Sequence, residues 1–112
     1  MSPRAQAHLW LAQRASAAVL GLCVLVHLAT MIYAVRGGLT AAEILGRTSG
    51  NTAWFAFYTV FVLAIAVHVP IGLRAILIEW AGWRGRSRDI ALGFFCVFLV
   101  YFGMSAVKAV FR

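Results

Sequence analysis

The chain contains three long stretches without a single Asp, Glu, Lys or Arg residue. They cover residues 15–35, 54–73 and 90–107. About 20 helical residues span the roughly 30 Å hydrocarbon core of a bilayer, so each stretch is long enough to cross it. The pattern predicts transmembrane helices at about 14–36, 53–80 and 89–110.

The links between these spans are short and carry helix-start signals. Thr40 and Glu43 have the spacing of a capping box, which predicts a short interfacial helix over about 40–46. Asp89 precedes the third apolar stretch and is a candidate cap for that helix. Three spans with brief links predict an all-α integral membrane protein, an up-down-up bundle that forms a single domain over residues 1–112.

Composition agrees with a membrane location and excludes a soluble fold. Apolar residues make up 63% of the 112 residues and charged residues 12%, so a water-soluble core of this size cannot hide the apolar surface. A net charge of +7 would suggest nucleic acid binding in a soluble protein. Here the arginines flank the apolar stretches, where they meet anionic headgroups, so we expect a lipid bilayer and no nucleic acid as partner.

The distribution of Lys and Arg predicts that the N-terminus lies inside. One side carries Arg4, Arg14, Arg84, Arg86 and Arg88, and the other carries Arg36, Arg47, Lys108 and Arg112. The dense cluster over residues 84–88 favours the inner side for the first group. We expect this cluster and the N-terminal segment to dock an acidic soluble partner, with lipid headgroup binding as the alternative.

His27 and His68 lie near the middle of the first and second spans, where a polar ring is costly unless it meets a partner, a cavity or a metal. A hydrogen bond to a neighbouring helix is one interpretation, and ligation of haem iron is the other. Gly72 follows His68 by one turn, where its missing side chain would let a flat macrocycle approach. The span centres imply a depth mismatch of about 6 Å between the histidines, so one shared iron and separate partners both stay open.

Arg14 and Ser16 begin the first span at its inner end, and Ser16 shares a helical face with His27. An arginine at this position can pair with haem propionates or with a quinone oxygen. A headgroup anchor is the alternative interpretation of Arg14.

The second span carries the segment His68-Val-Pro-Ile-Gly72-Leu-Arg74, followed by Glu79. This segment resembles the cytochrome b membrane-anchor subunit of succinate dehydrogenase and fumarate reductase. That family has His, three residues, Gly, an aliphatic residue and Arg, with an acidic residue at the spacing found here.

The first span carries Gln13-Arg14-Ala15-Ser16, which is similar to the His-Arg-x-Ser motif of the same family. Arg14 and Ser16 match this motif, and Gln13 departs from it. The number of spans and the length of the chain also match the family.

The resemblance implies that His68 is an axial ligand of haem b, and that Arg14 lies near the haem propionates and a ubiquinone or menaquinone site, with Ser16 beside it. In the common form of the family a second anchor chain supplies the other axial ligand. Some fused anchors instead use a first-span histidine resembling His27, and both arrangements stay open. The implied partners are an iron-sulfur subunit and a flavoprotein subunit at a bacterial inner membrane or its equivalent.

The favoured function is a membrane anchor that transfers electrons between the iron-sulfur partner and the quinone pool. The chain has no glycine-rich nucleotide loop and no cysteine cluster, so we predict no catalytic residue for dicarboxylate oxidation. One alternative is a haem-free anchor or assembly subunit. Another is a small oligomeric transporter whose histidines relay protons, although three spans provide no paired inverted repeat.

Overall fold

A computed structural model describes residues 2–112, and within that range it contains four helices and no strand. These are α1 (Pro3–Gly37), α2 (Ala41–Thr48), α3 (Thr52–Ala81) and α4 (Arg86–Phe111). The helices α1, α3 and α4 are long and apolar enough to cross a membrane. The predicted all-α membrane fold is confirmed.

The first residues of α1 and α4 differ from the sequence prediction. Helix α1 begins at Pro3, well before residue 14, because Ser2 caps it by accepting a hydrogen bond from the backbone N–H of Ala5 at 3.1 Å. Helix α4 begins after Gly85, whose φ of 96° is strained for residues with a side chain. The prediction that Asp89 caps α4 is therefore wrong, since Asp89 lies one turn inside the helix.

Helix α2 is fixed by local polar contacts. Both hydrogen bonds of the predicted capping box between Thr40 and Glu43 are present. The backbone N–H of Thr40 holds the pKa of the Glu43 carboxyl below its ordinary value. Helix α2 continues to Thr48, past residue 46, and the following turn is tied to the end of α4 by a hydrogen bond from Gly50 to the carbonyl of Phe111 at 2.6 Å.

Helix α3 is the centre of the fold, with α1 packed on one side and α4 on the other, and α1 and α4 make almost no direct contact. Small side chains at the interfaces let the helices approach closely, as is usual in membranes. Ala64 and Ala66 are buried on α3, and the thiol of Cys96 donates a hydrogen bond to the carbonyl of Ala66 at 3.3 Å. Large apolar side chains on the outer faces of the three spans are exposed, so these spans present wide surfaces to lipid or companion chains.

Gly103 on α4 packs closely against Val62 on α3, and its replacement tests the packing. An added Cβ would lie 2.6 Å from Cγ1 of Val62, a branched side chain with little freedom in a helix. We expect Gly103→Ala to lower the free energy of unfolding in mixed micelles by about 1–3 kcal/mol. The matched control is Gly93→Ala, on the same helix, where a Cβ meets nothing within 4 Å. Equal unfolding energies for the two variants would contradict this packing.

Candidate functional site

His68 faces helix α1 at Ser16. The Ser16 side chain is buried, with 8% of the residue exposed, and its hydroxyl donates a hydrogen bond to the carbonyl oxygen of Gln13 at 3.0 Å. The hydroxyl oxygen of Ser16 lies 3.5 Å from Nδ1 of His68, at the long end of hydrogen bonding. The imidazole ring is thus held against α1 within the predicted membrane-spanning part of α3.

Gly72 faces Gln13. Because α1 and α3 run in opposite directions, a residue that follows His68 on α3 lies beside one that precedes Ser16 on α1. A Cβ built on Gly72 would lie 3.2 Å from Nε2 of Gln13. The side-chain oxygen of Gln13 is buried and has no hydrogen-bond partner among residues 2–112. The space beside Gly72, which the sequence assigned to a macrocycle, is occupied here by a carboxamide with an unused acceptor.

In the sequence, Gln13 stands out only as a departure from the family motif. Matching spacings on two antiparallel helices are the feature of the sequence that points to Gln13. Gln13 precedes Ser16 by three residues on α1, and Gly72 follows His68 by four on α3, so one helical turn separates the two contacts on each helix.

His27 lies at a different depth. Its ring packs edge-on against Tyr58 and Phe61, with ring centroids 6.2 Å and 5.6 Å away. It lines a cavity of about 380 Å³ that is bordered by all four helices, with Thr48 from α2 and Val107 from α4.

The structure does not bring the His27 and His68 side chains together. Phe61, the neighbour of His27, precedes His68 by seven residues, which is about 10 Å along α3. An imidazole nitrogen binds a metal at roughly 2 Å, so two histidines that shared one iron would have to lie at nearly the same depth. The separation of about 10 Å is larger than the depth mismatch of about 6 Å that the sequence predicts. The reason is that α1 and α3 do not pack with the centres of their apolar stretches aligned.

Arg14 points away from the contact between Ser16 and His68. Its side chain is exposed, and its guanidinium carbon lies 5.1 Å from the ring centroid of Trp10, a cation–π geometry. Neighbouring helical residues point about 100° apart, so Arg14 lies to one side of the face on which Gln13 and Ser16 contact α3. The pairing of Arg14 with propionates or a quinone stays a prediction.

The basic end of the fold contains two kinds of arginine. Arg88 is buried, with 4% exposed, and its Nη2 and Nε lie 2.8 Å and 2.9 Å from Oδ1 of Asp89. Nε of Arg74 lies 3.5 Å from the same oxygen. Arg84 and Arg86 are exposed at the mouth of the adjoining cavity. The cluster over residues 84–88 therefore has two arginines at the surface, because the third, Arg88, is buried in an ion pair with Asp89.

The family profile described as succinate dehydrogenase/fumarate reductase transmembrane subunit matches residues 1–106. The chain belongs to this family. Searches of curated proteins and of solved structures found no match to this transmembrane subunit. The family places it as a multi-pass membrane subunit of a succinate dehydrogenase or fumarate reductase complex, which confirms the resemblance found in the sequence.

His68 is the candidate cofactor ligand of this transmembrane subunit. Across residues 2–112, no three His, Cys, Asp or Glu side chains form a group that could hold a metal ion. A haem needs far less from the protein, because the porphyrin itself surrounds the iron and the chain supplies only axial ligands. His68, set between two spans with one ring nitrogen toward Ser16, has the chemistry of such a ligand.

Proposed function

We propose that this chain binds haem b through His68 and conducts electrons between an iron-sulfur subunit and the quinone pool. The observation that carries the proposal is the position of His68 within a membrane-spanning helix, facing the neighbouring span of a chain of this family. An imidazole at this depth is costly without a partner, and ligation of haem iron supplies one. When bound, the haem accepts and releases single electrons.

The quinone site is proposed at the same end of α1, around Arg14 and Ser16, with Gln13 added on structural grounds. Quinone oxygens accept hydrogen bonds, which the amide of Gln13 can donate on the face of α1 toward α3, and which the guanidinium of Arg14 can donate beside that face, about 100° around the helix. The buried oxygen of Gln13, which has no donor among the described residues, suits the hydroxyl of the reduced quinol. The two forms of a quinone could thus be held by opposite ends of one carboxamide.

The second axial ligand is proposed to come from a second membrane-anchor chain. His27 is separated from the His68 contact by about 10 Å along α3, and α1 and α4 make almost no direct contact with each other. The soluble iron-sulfur and flavoprotein subunits are assigned to the side of Arg84 and Arg86. This is the inner side of a bacterial inner membrane or its equivalent, by the predicted orientation.

Replacing His27 tests this assignment of ligands. We expect His27→Gln to retain haem and an unchanged visible spectrum in the purified complex, because His27 packs on aromatic rings at a different depth. Haem is measured as content per complex and by its absorption bands. Loss of haem in His27→Gln, with the complex still assembled, would instead make His27 a ligand and contradict the proposal.

A reduced-minus-oxidised visible spectrum of the purified complex tests the function itself. A haem b with two histidine ligands is expected to give a sharp α band. A haem-free anchor or a proton-relaying transporter would give none. A complex that transfers electrons to a quinone without that band would refute haem binding by this chain.

A further inference from the structure

We propose that Ser16 is a positioning residue that holds His68 in the tautomer with hydrogen on Nδ1 and a lone pair on Nε2. The proposal rests on the proposed function, because that tautomer matters when Nε2 is the atom that binds haem iron. It assigns Ser16 a role through His68, in addition to the quinone contact implied by resemblance.

The first step concerns the single hydrogen of the Ser16 hydroxyl. That hydrogen is donated to the carbonyl oxygen of Gln13, at 3.0 Å. The hydroxyl oxygen keeps a lone pair, with which it can accept a hydrogen bond from Nδ1 of His68 at 3.5 Å. A shift of a few tenths of an ångström turns this separation into an ordinary hydrogen bond, in which Nδ1–H donates.

The second step concerns burial. With 8% of Ser16 exposed, little room is left for water to replace the hydroxyl as the partner of Nδ1. Lipid cannot accept a hydrogen bond in its place, and an unpaired N–H in the membrane interior is costly. The hydroxyl is therefore the partner that decides which ring nitrogen of His68 carries the hydrogen.

The third step connects the tautomer to the iron. A neutral imidazole has one N–H, so a hydrogen on Nδ1 leaves Nε2 as the free donor atom. Metal-ligating histidines generally donate their other N–H to an acceptor, which fixes the ring and raises its basicity. The opposite arrangement, with Ser16 donating to Nδ1, would place the hydrogen on Nε2 and block the iron.

Two variants and a matched control separate this role from plain packing. Ser16→Ala removes the acceptor, and Ser16→Thr keeps a hydroxyl on the same helix. The control is Ser105→Ala on α4, which removes a hydroxyl that donates to the carbonyl of Tyr101 at 2.8 Å and faces no histidine. A loss caused only by removing a helix-bonded serine would appear in the control as well.

The first readout needs no haem. In the full-length chain, labelled with ¹⁵N-histidine and reconstituted in bilayers, the His68 signals are identified by their absence in His68→Gln. We expect the form with hydrogen on Nδ1 in the native chain and in Ser16→Thr, and a shift toward hydrogen on Nε2 in Ser16→Ala. Hydrogen on Nε2 in the native chain, or no change in Ser16→Ala, would overturn the proposal.

The second readout uses the complex loaded with haem b. We expect Ser16→Ala to weaken haem retention by roughly 10- to 100-fold, the usual loss for a second-layer partner of a metal ligand. We also expect its midpoint potential to rise, since a less basic ligand favours ferric iron less. Ser16→Thr should restore both, and a potential unchanged from Ser105→Ala would count against the proposal. If the native complex bound no haem, the proposed function would fail, whereas the ¹⁵N signals would still test the contact between Ser16 and His68.

Discussion

His68→Ala is expected to remove haem b from the assembled complex. The substitution deletes an axial ligand, so the loss of haem affinity should exceed the roughly 100-fold upper effect of losing only a second-layer partner. The helix itself should persist, because alanine is the best helix former and α3 is anchored on both sides by α1 and α4. Haem content per complex and the α band of the reduced protein measure the outcome.

The control for this prediction is His8→Ala, the same chemical change at an exposed position near the start of α1. Imidazole added to the His68→Ala complex is expected to restore part of the haem, because it can occupy the space left by the ring. A His68→Ala complex with native haem content and spectrum would show that the ligand lies elsewhere. Loss of the chain from the membrane fraction would instead indicate a folding defect, which imidazole would not correct.

The double variant Arg84→Glu/Arg86→Glu is expected to release the soluble subunits from the membrane while the chain stays inserted with its haem. Both arginines are exposed, so their positive field reaches an approaching acidic surface, and reversal turns attraction into repulsion. Arg88 is left unchanged. Its guanidinium is buried on Asp89, and reversing it would leave an unpaired charge inside the fold.

The matched control reverses two exposed arginines at the opposite end, Arg36→Glu/Arg112→Glu, with the same change in net charge. Co-purification of the soluble subunits at increasing salt measures docking, because screening weakens a charge-steered contact. Subunits retained with native salt sensitivity in Arg84→Glu/Arg86→Glu would assign these charges to lipid headgroups. An equal release in the control would mean that net charge, and not this surface, governs assembly.

The sequence by itself determined the features that depend on local order along the chain. Three uncharged stretches of membrane length define three spans, since bilayer thickness fixes how many apolar residues a helix needs. The capping box at Thr40 and Glu43 was readable because its two hydrogen bonds join residues three apart. The family resemblance was readable because His68, Gly72 and Arg74 are also close together along the chain, and the family profile confirms it.

Only the tertiary structure decided which side chains meet between helices. In a bilayer every face of a span is apolar, so hydropathy contains no signal for how far one helix slides or turns against the next. That register places Ser16 on His68 and Gln13 on Gly72, and it puts His27 beside Tyr58 and Phe61, away from His68. The register is set by close packing of small side chains. This packing depends on how two helix surfaces fit together, which the sequence of either helix alone does not give.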